Sequence, residues 1–109
     1  MNKKIATAYV EFVQINGGKR RPIFILDETE TKLRFFDITT KYQNKSDYMK
    51  SWYFVIKDYE STGLRKHSWI DTYRGYSLLK SSCNIHYIGD LSNRDVSRLR
   101  EFLMSKNKN

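Results

Sequence analysis

Arg21, Thr39 and Asp71 are the side chains of this sequence whose types could act together on a phosphodiester. Arg21 closes the run Gly17-Gly18-Lys19-Arg20-Arg21-Pro22, which leads into the apolar stretch Ile23-Phe24-Ile25-Leu26. Glycines and consecutive cations ahead of a strand that reads as buried on both faces set a basic loop at the rim of a rigid sheet. A guanidinium can hold two phosphate oxygens and counter the charge that develops in a transition state. A hydroxyl from the Thr39-Thr40 pair can donate one more hydrogen bond to the same phosphate, and the Asp71 carboxylate can take a proton. RNA carries its own nucleophile, the 2′-OH, so this set suits RNA without metal or histidine and suits DNA poorly.

Each residue also has an ordinary structural reading. Arg21 fits a solvated loop cation, and Thr39 and Thr40 fit plain strand positions. Asp71 alternates with Trp69 and Tyr73 and fits a carboxylate satisfied by backbone. Trp52 and Trp69 suit core or interface better than base-stacking platforms, and His67 suits the surface. No metal or cofactor is expected: His67 and His86 lie far apart, and one cysteine builds no zinc site. Gly17-Gly18 precedes a strand, whereas nucleotide-binding glycine loops open a helix, and no serine nucleophile elbow is present.

The chain has 109 residues, 39% hydrophobic and 15% aromatic, which predicts one globular domain with its own core. Twenty Lys and Arg against twelve Asp and Glu leave a net charge of +8, which favours a polyanionic partner, either nucleic acid or an acidic protein segment. The lone Cys83 reads as a small buried apolar residue in a reducing cytoplasm. No stretch approaches the roughly 18 apolar residues of a membrane span. Lys3-Lys4 with Ile5 to Val10 is too short for a secretory signal, so a cytoplasmic protein is expected.

Positioning these residues requires strands. Alternation places Ala6, Ala8, Val10 and Phe12 on one face of a first strand over 5–13, with Thr7, Tyr9 and Glu11 on the other. Further strands are predicted at 22–26, with Pro22 in the tolerated first position, and at 32–39, 52–57, 68–74 and 84–88. Residues 40–50 read as a loop with about one helical turn. Ser92 with Asp95 has the form of a helix N-cap, followed by Val96, Leu99 and Leu103 at helical spacing while Arg94, Arg98 and Glu101 face water. The domain is expected over 1–104, with 105–109 a frayed polar tail. Six short strands and one late helix suggest a small, curved sheet closing toward a barrel.

Collinear blocks resemble the MazF/PemK family of toxin–antitoxin ribonucleases. Tyr9-Val10-Glu11-Phe12 with Gly17 to Leu26 is similar to the family's first strand, glycine loop and "RP" strand. Asp37-Ile38-Thr39-Thr40-Lys41 resembles its "PITSK" strand end, and Thr62-Gly63-Leu64-Arg65-Lys66-His67-Ser68 its "GL-x-KPS" turn. Ile88-Gly89-Asp90-Leu91-Ser92 resembles the "IGRLS" entry to the last helix.

The resemblance implies a mainly β, SH3-like, partly open barrel of about six strands with a C-terminal helix, acting as a homodimer. It also implies metal-independent cleavage of single-stranded RNA, including mRNA, and inhibition by an antitoxin with an acidic tail. Arg21 and Thr39 would be the catalytic pair, and Asp71 matches an acid–base position of some members. Asn16, Gly17, Gly18, Lys19, Arg20, Thr40, Lys41 and Arg74 would bind RNA. Two departures stand out: Ala6-Thr7-Ala8 replaces the usual "RGDI" opening, and His67 replaces the proline of the turn. A CcdB-like gyrase inhibitor or a plain nucleic-acid-binding module is the alternative on a related fold.

Overall fold

Short alternating runs separated by polar turns pair with their neighbours, and here they make one antiparallel sheet. The computed structural model describes residues 3–10, 19–82 and 84–107. Its strands are β1 (Lys4–Val10), β2 (Lys19–Glu28), β3 (Lys32–Thr39), β4 (Tyr53–Val55), β5 (Trp69–Leu79) and β6 (Asn84–Asp90). One helical turn, α1 (Asp47–Lys50), precedes β4, and the long helix α2 (Asn93–Lys106) follows β6. The sheet order is β4-β5-β3-β2-β1-β6, with every neighbouring pair antiparallel.

The apolar run of β2 is buried on both faces. Phe24 joins Ile5, Phe36, Ile38, Phe54, Ile56 and Ile70 in a core that α2 covers with Val96, Leu99, Phe102 and Leu103. Ile23 and Ile25 point the other way, into a second core with Ala6, Ala8, Leu33 and Phe35. Among the described residues no helix covers this second core; Tyr76 and Leu78 of β5 and Ile85 of β6 pack on it instead. Each lies opposite a core residue of the strand beside it, Tyr76 opposite Phe35, Leu78 opposite Leu33 and Ile85 opposite Ala8, so one apolar face runs from β5 to β6, a face that a curl of the sheet would enclose.

Chain connectivity demands the same curl. β5 and β6 are joined through one 3₁₀ turn at Lys80–Ser82, able to span about 14 Å with fully extended links on either side. In a flat sheet, the four inter-strand steps between them would separate them by about 19 Å. Register shifts in β1, β2 and β3 supply the bending.

Glu28 ties the curled edge together. Its carboxylate accepts from the Tyr87 hydroxyl at 2.8 Å and pairs with Lys80 at 2.9 Å and Lys4 at 3.3 Å. These partners, Lys80 first, hold its pKa down from the ordinary 4.5 to about 2. A carboxyl held lower in the folded than in the unfolded chain contributes stability above its ordinary pKa and loses it on acidification. Urea midpoints should therefore fall between pH 4.5 and about 2. Glu28→Gln should flatten that part of the profile; an unchanged slope would remove Glu28 from this role.

α2 starts as its sequence predicts, with the Ser92 hydroxyl accepting the Asp95 N–H at 3.0 Å. Asp95 is fully buried. Its carboxylate accepts the backbone N–H groups of Lys57 at 3.0 Å and Asp58 at 2.8 Å and pairs with Arg98. Arg98 is half-buried, contrary to its expected solvent position, and lies over the Phe54 ring at 4.7 Å. Leu99 is buried as expected.

Several boundaries differ from expectation. Pro22 stands inside β2, opposite Thr7, rather than at its start. β5 runs to Leu79 instead of ending at Arg74, because Gly75 marks a bulge and not a break: Phe36 of β3 faces Thr72, Tyr73, Arg74 and Gly75 of β5. β4 shrinks to Tyr53–Val55, though Ile56 still bonds to Ser68 at 3.1 Å. α2 extends through Lys106, whose ammonium lies 4.8 Å from the Trp52 ring centroid. Phe12, Glu11 and Cys83 lie outside the described residues.

Candidate functional site

Antiparallel pairing brings the start of β2, the end of β3 and the start of β5 to one rim of the sheet. Ile23 pairs with Asp37, and two residues further along each strand stand Arg21 and Thr39. Thr39 in turn pairs with Trp69, and Asp37 with Asp71. Paired residues of an antiparallel ladder share a face, as do residues two apart. Arg21, Thr39 and Asp71 therefore project from the same face of the sheet, that of the second core.

Pro22 shapes this rim. The β2–β3 register reaches Ile23 and no further, one residue past a position with no N–H to give. Arg21 and Thr39 consequently sit beyond the paired ladder, where the strand ends are free to part. Thr39 accepts the Lys41 N–H at 3.0 Å. Its hydroxyl hydrogen is left to donate to an anion.

Adjacent strand residues face opposite ways, and this separates the two arginines. Arg20 turns from Arg21's face and donates to the Thr7 hydroxyl at 3.1 Å and the Asn84 carbonyl at 3.4 Å. Arg21 lies on the carboxylate side, where its charge acts on Asp37.

Asp37 is the functional candidate that sequence reasoning passed over. It is the half-buried cross-strand neighbour of Asp71; side chains so paired have Cβ atoms about 4.5–5.5 Å apart. Burial pushes the Asp37 carboxyl up, Arg21 opposes that rise, and Asp71 adds to it. The available signal was a lone carboxylate in the apolar run Phe35-Phe36-Asp37-Ile38. Asp71 is held differently: its carboxylate accepts the Tyr73 N–H at 2.9 Å, the backbone-satisfied arrangement weighed from sequence. The phenols of Tyr53 and Tyr76 are pushed up by burial and by both aspartates, so they remain hydroxyl donors at neutral pH.

Arg74 stands exposed on the β5 bulge, and its charge and that of Arg21 both act on Tyr76. Thr40 and Lys41 open a cleft of ≈ 430 Å³ continued by Tyr42, Gln43, Asn44 and Lys45. Tyr42 stacks on Trp69, centroids 4.7 Å apart, with the Lys50 ammonium 5.0 Å from its own centroid. His67 is exposed and packs against Trp69 at 5.0 Å. A second cleft of ≈ 460 Å³, between β4 and α2, is lined by Phe54, Val55, Arg98, Glu101 and Phe102 and holds no comparable set.

Asn16, Gly17 and Gly18 lie outside the described residues, and Lys19 is described by its backbone pairing with Val10. The two glycines of the later blocks are fixed by close contact. Gly63 has φ +76°, and a Cβ there would meet the Ile88 carbonyl oxygen at 2.4 Å. A Cβ on Gly89 would meet the Ser61 carbonyl oxygen at 2.3 Å. These residues lock the turn after β4 onto β6, which keeps His67 and Trp69 at the rim.

Among the described residues no helix is long and apolar enough to cross a membrane. No family model matches the chain, and no curated protein matches it.

Proposed function

We propose that this chain is a metal-independent endoribonuclease of the MazF/PemK toxin type, acting on single-stranded RNA. The observation that carries the reading is the meeting of Arg21, Thr39 and a carboxylate pair on one sheet face, at the rim where Pro22 ends the β2–β3 ladder. The curled six-stranded sheet with its C-terminal helix suits an SH3-like, partly open barrel.

In this mechanism the RNA 2′-OH attacks the adjacent phosphorus while Asp71 takes its proton. The P–O2′ bond forms and the P–O5′ bond breaks, leaving a 2′,3′-cyclic phosphate and a 5′-OH. Arg21 neutralises charge gathering on the non-bridging oxygens, and Thr39 donates to one of them. Guanidinium loses its proton only above about pH 12 and so stays a charge stabiliser, not a base. Lys41 and Arg74 flank this centre and hold the neighbouring phosphates. A homodimer would join two such rims into one groove, and an acidic antitoxin tail would occlude it on a +8 surface.

Incubation of the purified protein with mixed single-stranded RNA in EDTA is the direct test. Fragments ending in 2′,3′-cyclic phosphate are expected. Intact RNA, with gyrase inhibition instead, would turn the assignment to the CcdB-like alternative.

A further inference from the structure

Two carboxylates on neighbouring strands rarely have the same work to do when their surroundings differ. Asp37 and Asp71 are paired across β3 and β5, on the face that carries Arg21 and Thr39. Among the described residues, Arg21 of β2 acts on Asp37, both aspartates act on Tyr53 of β4 and Tyr76 of β5, and Arg74 of the β5 bulge acts on Tyr76.

The two surroundings differ in kind. Asp71 meets a backbone donor, accepting the N–H of Tyr73 at 2.9 Å. Asp37 lies on β3 between Phe36 and Ile38, both buried, and opposite Ile23, which is 0% exposed. Removal from water favours its neutral form, as does the like charge of Asp71. Asp37, removed from water on an apolar strand, is therefore the carboxyl placed to carry a proton.

Resting on the ribonuclease reading above, we infer that Asp37 is a second catalytic carboxyl, the general acid that protonates the departing 5′-oxygen, while Asp71 is the base. The balance closes in one turnover. Asp71 receives the proton of the attacking 2′-OH, Asp37 gives its own to O5′, and transfer from Asp71 to Asp37 through the pair restores the starting state. No outside reagent is consumed.

The distinguishing substrate is RNA with sulfur in place of the bridging 5′-oxygen at the cut site, because a thiolate departs without a proton. Asp37→Asn should slow cleavage of ordinary RNA about 10²–10⁴-fold yet leave the sulfur-substituted RNA within about tenfold of wild type. Asp71→Asn should slow both substrates. Loss of Asp37 should also remove the alkaline limb of the pH–rate profile, which requires a protonated acid.

Thermal melts give a readout independent of RNA. A carboxyl kept from water beside a like charge opposes folding at neutral pH, so Asp37→Asn should raise Tm. A purely structural Asp37 would instead lower Tm and impair both substrates equally, which overturns the inference. Ordinary RNA cut by Asp37→Asn at the wild-type rate also overturns it and leaves the ribonuclease standing. Failure of the wild type to cut either RNA defeats both proposals.

Discussion

Arg21→Ala is expected to slow cleavage of single-stranded RNA by about 10²–10³-fold, the effect of removing one preorganised donor to a developing oxyanion, about 2.7–4 kcal/mol. Arg21 and Thr39 stand side by side just beyond the end of the β2–β3 ladder, on one face of the sheet. Loss of Arg21 would act twice, since its charge also restrains the rise of the Asp37 pKa. Arg21→Lys keeps the charge but not the planar fork, and an intermediate rate is expected. Arg20→Ala is the internal control. That side chain is engaged with Thr7 and Asn84 on the other face, so its loss should change the rate by less than about tenfold. Single-turnover rates on one labelled RNA in EDTA measure all three. Equal rates for Arg21→Ala and wild type would remove Arg21 from the chemistry.

Asp95→Ala should be the most destabilising single change outside the site. The carboxylate is 0% exposed and satisfies two backbone N–H groups at the β4–loop junction as well as Arg98. Removing it strands both donors and leaves a half-buried guanidinium without its counter-charge, a loss of about 3–5 kcal/mol. Against a typical total of 5–15 kcal/mol, that would leave little of the folded state. Asp95→Asn keeps an acceptor oxygen for the N–H groups but not the charge, and should cost about 1.5–3 kcal/mol. Urea titration of the two variants measures both values. An alanine variant as stable as wild type would mean that the junction is held by something else.

Much of the fold was legible because its signals were local. The Ser92–Asp95 cap, the alternation of Ala6 and Ala8, the doubly buried run at Ile23–Ile25 and the single turn before β4 depend on neighbours in sequence. The misread features depend on partners far away. The fifth strand is expected to end at Arg74, yet Gly75 sits in a bulge whose meaning comes from Phe36 on another strand. Arg98 reads as a surface cation at its helical position, but Asp95 and the Phe54 ring draw it inward. Pro22 reads as a strand start, and only the register shows it inside β2 and ending one ladder.

The candidate site divides in the same way. Arg21, Thr39 and Asp71 were found by residue type and by resemblance, and each lies on a strand whose existence was predictable. Asp37 went unmarked because its significance is relational: it faces Asp71 across a register that no single strand specifies. The choice between Arg20 and Arg21 likewise awaited strand parity, which begins three residues earlier than expected, at Lys19.

β1 completes its pairing with β6, Thr7 lying opposite His86. A nascent chain leaving the ribosome thus has an unfinished sheet until residue 90 has been added, and pairing across such a span is slow. On the ribonuclease proposal, the rim that carries Arg21 and Thr39 would stand on an incomplete sheet until that pairing forms.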